Sequence, residues 1–229
     1  KRGTNVTLTI YRDGEPRERD IGISRDKIVI QAVKWEVKSD GIGYIQIVHF
    51  TADTAAKFKE AAQALLSKKI KGLVIDLRND PGGYLDAAVS IAGYWIDGKT
   101  VVFERYADGT QDEYKGHVLP LLEHMPTVVL INKGSASASE IVAGALQDEG
   151  KAVVIGEQSF GKGSVQDVQR LSDGAELKLT IAHWFTPKGR TIQDEGIKPD
   201  IAVEMTEEDY KNKKDPQLNR ALEELKKKQ

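Results

Sequence analysis

The chain has 229 residues, of which 40% are hydrophobic, and a formal net charge of −2. This length and composition allow a substantial buried core and predict one large domain, or one domain and a fragment. No basic stripe indicates nucleic acid and no apolar run is long enough to span a membrane. We therefore expect no nucleic-acid partner, and membrane association only through segments outside this chain. The lack of cysteine suits an extracytoplasmic bacterial protein of the cell envelope, the periplasm or the extracellular side.

The first 24 residues predict a pair of short strands. Apolar and polar residues alternate in 6–10, and apolar residues recur at positions 21 and 23. The dipeptide Asp13-Gly14 between these segments is typical of a hairpin turn.

From residue 27 onward, predicted strands alternate with predicted helices, which favours an α/β fold. The predicted strands cover 28–37, 42–50, 73–77, 101–105, 127–131 and 153–155. The predicted helices cover 53–69, 85–96, 140–147 and 216–227. A hairpin formed by 165–171 and 175–181 is expected to close the sheet.

Two glycines, Gly82 and Gly83, separate the buried strand 73–77 from the following helix. Glycine allows positive φ and leaves the backbone N–H groups uncovered. Such amides could stabilise an oxygen that gains negative charge during a reaction. The alternative is a tight turn that binds nothing. Asp76 and Arg78, just before this turn, are expected to be structural hydrogen-bonding or ion-pair partners.

The run 134–140, Gly-Ser-Ala-Ser-Ala-Ser-Glu, lies between a β-branched strand and an apolar helix. The N–H groups at the start of that helix favour a developing negative charge, so a serine here is a candidate nucleophile. Ser137 and Glu140 also fit the capping box S-x-x-E, and the pattern alone favours the two roles equally. Ser135 and Ser139 remain alternative nucleophiles.

A serine nucleophile needs a base, and the four histidines are poorly placed to supply one. His183 lies on the alternating run 177–185, on the apolar face of a predicted strand, where a structural role is favoured. His49, His117 and His124 have no neighbouring feature that would orient an imidazole.

Lys162 is a better candidate, because it stands between two glycines in the segment 156–166. Burial would remove its hydration and favour the neutral amine, which can act as a base. Gln166 could hold that amine through its amide oxygen. The alternative is an ordinary solvated lysine on a glycine turn.

The same segment also resembles a phosphate-binding loop, since Gly156 and Gly161-Lys162 have the required spacing after a strand. The motif then requires Ser or Thr, where this chain has Gly163. It also requires a helix, where the pattern predicts a hairpin. We therefore disfavour nucleotide binding.

Taken together, these segments resemble the C-terminal (tail-specific) processing peptidases, the Ser–Lys enzymes of the S41 group. The matching stretches are the turns at 76–83 and 134–140, the loop 160–166, and the segments 179–190 and 196–200. They stand in the family's order, and together they are far more specific than any one of them.

The resemblance implies a role for each matching residue. Ser137 is the nucleophile and Lys162, 25 residues later (162 − 137), is the general base. Gln166 positions the lysine. The oxyanion hole is formed by the backbone N–H groups of Ala138 and Gly83. Because Lys162 and the double-glycine turn support Ser137 as nucleophile, they favour this role over the N-cap role.

The resemblance also implies an architecture, a ClpP/crotonase-like core of repeated strand-strand-helix units. Residues 25–229 correspond to the peptidase core, and 1–24 to the C-terminal remnant of a PDZ domain. Asp148 matches a position that some members need, or is simply a polar helix end.

The function implied by the resemblance is a serine endopeptidase that cleaves proteins near their C-termini through an acyl-enzyme. A non-catalytic peptide-binding module and an acyl-CoA enzyme on the same fold are the alternatives. The expected partners are protein or peptide substrates, the chain's own PDZ domain and further copies of itself. We expect no cofactor and no metal, since no His/Asp/Glu cluster has ligand spacing.

Overall fold

The computed structural model describes residues 1–27 and 31–227. The strands are β1 (Asn5–Ile10), β2 (Arg19–Ser24), β3 (Val33–Val37), β4 (Ile42–Ile47), β5 (Gly72–Asp76), β6 (Thr100–Tyr106), β7 (Gln111–Lys115), β8 (Thr127–Ile131), β9 (Ala152–Gly156), β10 (Ser164–Arg170), β11 (Glu176–Phe185) and β12 (Ile201–Ala202). The helices are α1 (Thr54–Ser67), α2 (Leu85–Gly93), α3 (Ala138–Asp148), α4 (Glu207–Lys211) and α5 (Pro216–Lys226).

The chain divides into two compact units, Lys1–Gln31 and Ala32–Gln229. In the smaller unit, β1 and β2 pair antiparallel over their full length, which confirms the predicted strand pair. Positions 28–30 of the next predicted strand lie outside the described residues.

The larger unit is built on a six-stranded sheet of order β12-β9-β8-β5-β4-β3. Only β3 pairs antiparallel, with β4, and the other neighbours are parallel. Every residue of β5 and β8 is buried. Continuous apolar runs of this kind are typical of strands that are covered on both faces.

Helices cover both faces of this sheet, as expected for an α/β fold. On one face, α1, α2 and α3 pack against Ile75 and Val129 in the main core. On the other, Ala221 and Leu225 of α5 pack against Val74. The alternation along β5 therefore directs neighbouring side chains into two separate apolar layers.

A second sheet of four antiparallel strands has the order β10-β11-β6-β7. The expectation that the hairpin closes the main sheet was therefore wrong. Residues 182–185 of β11 pair with β6, and the short β12 occupies the edge of the main sheet. Sequence reasoning also missed β7, β12 and α4. Their segments are short, and β7 and α4 are mostly polar, so they carry no clear apolar period.

No helix among the described residues combines the length and the apolar character needed to cross a membrane.

Candidate active site

Two turns lie side by side where the parallel neighbours β5 and β8 end, at 77–84 and at 132–137. Asn79 and Asn132 join them. The Asn79 N–H donates to Asn132 Oδ1 at 2.8 Å, and Asn132 Nδ2 donates to Asn79 Oδ1 at 3.0 Å. The carboxyl ends of parallel strands are a common location for ligand sites, and here they bring the glycine turn to the serine turn.

The structure distinguishes the three serines of the second turn. Ser135 is buried and its hydroxyl donates to the Leu77 carbonyl at 2.8 Å. Ser139 is also buried and donates to the Asp80 carbonyl at 3.1 Å. Ser137 is partly exposed. Since the other two hydroxyls hold the turns together, the geometry favours Ser137 as the serine that meets a substrate.

Ser137 has a backbone conformation that L residues rarely adopt, with φ 54° and ψ −113° at the N-cap of α3. Such a conformation costs about 1–3 kcal/mol and is typical of a nucleophile held on a sharp strand-to-helix turn. The predicted contact with Glu140 is present, since the Ser137 N–H donates to Glu140 Oε2 at 2.7 Å. The N-cap and nucleophile roles are therefore compatible in one residue.

Gly82 brings the first turn against the second. Its φ is +95°, and a Cβ built on it would lie 2.6 Å from the Ala136 carbonyl oxygen and 2.8 Å from Ser137 Cβ. The same Cβ would lie 2.9 Å from the backbone nitrogen of Ala138. Only glycine allows the two turns to approach this closely.

Gly83 has φ +141°, and a Cβ there would overlap the carbonyl oxygen of Phe50. Hydrogen bonds from Phe50 N–H to the Gly82 carbonyl (2.9 Å) and from Tyr84 N–H to the Phe50 carbonyl (2.8 Å) fix this turn. The Gly82 N–H donates to Asp80 Oδ1 at 2.9 Å. None of the hydrogen bonds of the described residues uses the Gly83 N–H, so Gly83 supplies the amide of this turn that can face a ligand.

One buried carboxylate connects the nucleophile turn to the loop that carries the candidate base. Glu140 Oε2 accepts from the backbone N–H of Ser137 at 2.7 Å and of Lys162 at 2.9 Å. Glu140 Oε1 accepts from the Gly161 N–H and the Ser159 hydroxyl, both at 2.6 Å. An ionised carboxylate accepts at both oxygens and donates nothing, which matches these four donors. Sequence reasoning identified Glu140 only as a helix cap.

The backbone around Lys162 is packed against the segment 192–196. The Asp194 N–H donates to the Gly161 carbonyl at 2.9 Å, and the Trp184 N–H donates to the Gly163 carbonyl at 2.7 Å. A Cβ at Gly163 would overlap the Gln193 backbone. Both glycines flanking Lys162 are therefore required by close packing.

The side chains of Lys162 and Gln166 are nevertheless exposed to solvent. Gln166 lies opposite Thr180, just beyond a register irregularity in the hairpin. Within the described part of the chain, no hydrogen bond joins the Lys162 amine to Ser137 or to Gln166. The structure thus brings Ser137 and Ala138 against Gly82, the neighbour of Gly83. It holds the Lys162 backbone beside them and leaves the amine free.

His183 lies on β11 in the predicted alternating run and is partly buried, and its Nδ1 is buried without a hydrogen-bond partner among the described residues. The apolar residues preceding it on β11, Leu177, Leu179 and Ile181, are each more than 40% exposed. The face that the alternation defines is therefore exposed at 177–181 and partly buried at 183 and 185, where Arg105 lies over the Phe185 ring. His183 lies opposite Ser164 of β10, and its structural role stays a prediction.

The prediction of structural roles for Asp76 and Arg78 is confirmed. Arg78 contacts Asp76 at 2.6 Å and Asp215, the N-cap of α5, at 2.9 Å. The Tyr44 hydroxyl donates to Asp76 at 2.7 Å. Burial and the Asp76 charge raise the pKa of Tyr44 above its ordinary range. This network attaches α5 to the sheet.

Asp148 also has structural contacts at the end of α3. Its Oδ2 accepts from the Lys188 N–H at 2.9 Å, and its Oδ1 contacts Arg190 at 2.5 Å. These contacts join α3 to the turn that follows β11.

Asp80 is the titratable group that sequence reasoning missed. Burial raises the pKa of its carboxyl to about 7, against the opposing effect of the hydrogen bond from the Gly82 N–H. No sequence pattern indicates this, because it depends on how completely the two turns cover the side chain.

Neither a metal site nor a nucleotide site is supported by the described residues. Within 1–27 and 31–227, no group of three or more His, Asp or Glu residues could hold a metal ion. The lysine of the phosphate-loop spacing is followed by β10 and not by a helix, so the amide donors of a nucleotide site are missing.

Comparison with known proteins identifies the family of this chain. A protein-family model described as peptidase family S41 matches residues 41–203. A carboxy-terminal-processing protease of Bartonella bacilliformis is 45% identical over 207 residues, which are 88% of this chain and 48% of that protein. The carboxy-terminal processing protease CtpA of Bacillus subtilis is 39% identical over 206 residues, 90% of this chain and 44% of that protein.

Solved structures give the same result. The photosystem II D1 C-terminal processing protease superposes with a TM-score of 0.74 at 31% identity, covering 89% of this chain and 56% of that one. A putative S41 protease from Bacteroides fragilis, at 18% identity, shares the fold with a TM-score of 0.72 over 98% of this chain and 67% of that one. The chain spans about half the length of the relatives it matches. It belongs to peptidase family S41.

Proposed function

We propose that this chain is the core of a serine endopeptidase, a carboxy-terminal processing protease, in which Ser137 and Lys162 form a catalytic dyad. The observation that carries the proposal is the junction at Glu140. One carboxylate binds the backbone of the nucleophile and the backbone of the base, beside a glycine turn packed on Ser137. The S41 match supports the same reaction class.

In the proposed reaction, Ser137 Oγ attacks the scissile carbonyl while neutral Lys162 takes the hydroxyl proton. The N–H groups of Gly83 and Ala138 stabilise the resulting oxyanion. Such a donor is worth about 2.7–4 kcal/mol in the transition state. The C–N bond then breaks, Lys162 returns the proton to the leaving amine, and an ester remains on Ser137. Water hydrolyses the ester with Lys162 again as base.

Lys162 must turn toward Ser137 before this reaction can begin, because its side chain is exposed and makes no hydrogen bond to Ser137 within the described part of the chain. A peptide lying over the loop would remove water from the amine and favour its neutral form. Gln166 would then hold the amine through its amide oxygen. The base is thus completed by substrate, whereas the oxyanion hole is preformed.

We further propose protein substrates cleaved near their C-termini, as the names of the relatives indicate for those proteins. The strand-helix order supports a ClpP/crotonase-like core, and the strand pair β1–β2 supports a PDZ remnant in 1–24. The cysteine-free composition supports an extracytoplasmic location in the bacterial envelope. Assembly into homo-oligomers belongs to the same proposal.

The proposal is tested with a fluorophosphonate probe and with denatured casein as substrate. We expect the probe to label Ser137, located by mass spectrometry, and Ser137→Ala to lose casein cleavage by about 10⁴-fold or more. Ser172→Ala, in the exposed hairpin turn, is the matched control and keeps full activity. Absence of both labelling and casein cleavage would exclude the enzyme and favour a peptide-binding module, whereas full activity of Ser137→Ala would exclude Ser137 as the nucleophile. A thermal shift with coenzyme A would favour acyl-CoA chemistry.

A further inference from the structure

Asp80 touches both turns of the proposed oxyanion hole. Its carbonyl oxygen accepts from the Ala136 N–H at 3.0 Å and from the Ser139 hydroxyl at 3.1 Å. Its carboxyl Oδ1 accepts from the Gly82 N–H at 2.9 Å. The residue is 0% exposed. It therefore binds the neighbours in sequence of both proposed oxyanion donors, Gly82 next to Gly83 and Ser139 next to Ala138.

The second carboxyl oxygen, Oδ2, is buried and has no hydrogen-bond partner among the described residues. A buried carboxylate with an unpaired oxygen is costly, and the group becomes neutral instead. Burial accordingly raises the pKa of Asp80 to about 7 from its ordinary value of 3.8.

Charged neighbours do not explain this shift. The titratable groups of the surrounding elements are His49 after β4, Asp76 and Arg78 on the approach to the first turn, Lys133 on the second turn, Asp86 on α2, Glu140 on α3 and Lys162 on the base loop. Burial is what raises the pKa of Asp80, hydrogen bonding opposes the rise, and no charge contributes to it. Glu140 turns both oxygens to its four donors, and Arg78 is bound by Asp76 and Asp215.

We propose that Asp80 is a positioning residue that holds the two oxyanion turns in register with a neutral carboxyl, and that its ionisation weakens the proposed peptidase reaction. An ionised Asp80 would place a negative charge behind the amides that stabilise the oxyanion, so the transition state would be repelled. The catalytic half of this inference rests on the proposed function.

Asp80→Asn tests the inference, because asparagine is the neutral isostere of the protonated carboxyl and keeps an acceptor for Gly82. Casein cleavage by both chains is measured from about pH 5 to about pH 9. Any pH dependence that the two chains share cancels in the ratio of the variant's rate to the wild-type rate. We expect this ratio to be constant below about pH 6 and to rise by about tenfold per unit above pH 7. Asp97→Asn, at an exposed loop position, is the control and gives a constant ratio.

A second measurement needs no activity. In a Ser137→Ala background, thermal unfolding is followed with and without the Asp80→Asn substitution. Because the folded pKa is raised, the folded state binds more protons between pH 3.8 and about 7, so stability falls as pH rises through this window. The melting temperature of the Asp80→Asn chain should exceed that of the chain that keeps Asp80. This difference in melting temperature, the margin, should widen by several degrees from about pH 5 to about pH 7 and then level off.

The outcomes separate the two proposals. A flat rate ratio in an active enzyme, a margin that does not change with pH, or an Asp80→Asn chain that fails to fold each overturns the role of Asp80. If neither chain cleaves casein at any pH while the margin widens, the inference that Asp80 carries a neutral carboxyl is kept. The proposed peptidase function is then overturned, and with it the effect of Asp80 ionisation on the reaction.

Discussion

The two halves of the proposed active site are built differently. On the nucleophile side, the turns after β5 and β8 are joined by side-chain hydrogen bonds of Asn79 and Asn132, and two of the three serines are buried as structural donors. On the base side, the backbone of Lys162 is fixed but its side chain and that of Gln166 are exposed. The difference suggests a division of labour, in which the proposed oxyanion hole is rigid and the proposed base adapts to substrate.

The hairpin beyond the base loop extends this contrast. Leu177, Leu179 and Ile181 expose apolar side chains, and residues 176–181 of β11 have only β10 as a neighbouring strand. The serine turn, in comparison, borders α3, whose residues 138–146 are all buried. Local opening costs least where few buried contacts exist, so motion should concentrate on the base side.

Glu140→Gln should have the largest effect on activity, because Glu140 binds the backbone of both halves, the nucleophile side and the base side. In glutamine, an NH₂ group would replace one of the two carboxylate oxygens. Whichever way the amide is turned, this NH₂ group would face two of the four donors and could not accept from them. We expect kcat for casein cleavage to fall by about 10³-fold, since small misplacements of both catalytic groups multiply.

Glu149→Gln, at the other end of α3, is the control for this variant. It loses only an ion pair with Lys99 and should keep its kcat. If Glu140→Gln kept the wild-type kcat, the two halves would not be coupled through this carboxylate. A lower melting temperature with unchanged kcat would assign Glu140 a purely structural role.

Gly83→Ala tests the rigid half alone. Its Cβ would overlap the Phe50 carbonyl oxygen, so the turn must shift and its N–H moves away from the oxyanion. We expect kcat to fall by about 10²-fold, the loss of one donor in the transition state.

Gly109→Ala is the matched control, because Gly109 also has a positive φ, +85°, but nothing lies within 4 Å of an added Cβ. That variant should lose about 1 kcal/mol of stability and no activity. Equal kcat values for the two alanine variants would exclude Gly83 from the oxyanion hole.

The rigid half was also the half that sequence predicted best. Residues 76–83 and 134–140 carry local requirements for glycine, for a helix start and for a buried strand, and each requirement leaves a pattern over a few residues. The role of Glu140 could not be predicted in full, because its partners Ser159 and Gly161 follow 19 and 21 residues later. Only the folded chain brings them to one carboxylate.

The sequence predictions failed where a pattern shows which side chains share one face of a strand but does not show which element packs on that face. Alternation in 177–185 correctly predicted a strand, yet nothing in that pattern says whether another element packs on the apolar side. The same limit applies to Asp80, whose raised pKa follows from burial between two turns. The sheet position of the hairpin depends on pairing with β6, about 80 residues earlier in the chain.

Gln166→Ala should have the smallest effect and tests the adaptable half. Gln166 is exposed and its side chain makes no hydrogen bond within the described structure, so its removal should leave the melting temperature unchanged. If it holds the Lys162 amine only in the closed state, kcat should still fall by about tenfold, the value of one hydrogen bond to a catalytic group. Gln169→Ala is the control, because Gln169 is exposed on the opposite face of the same strand and should keep its kcat. Equal kcat values for the two variants would show that the base is completed without Gln166. If both variants lost melting temperature to the same extent, the hairpin would be more rigid than its exposure suggests.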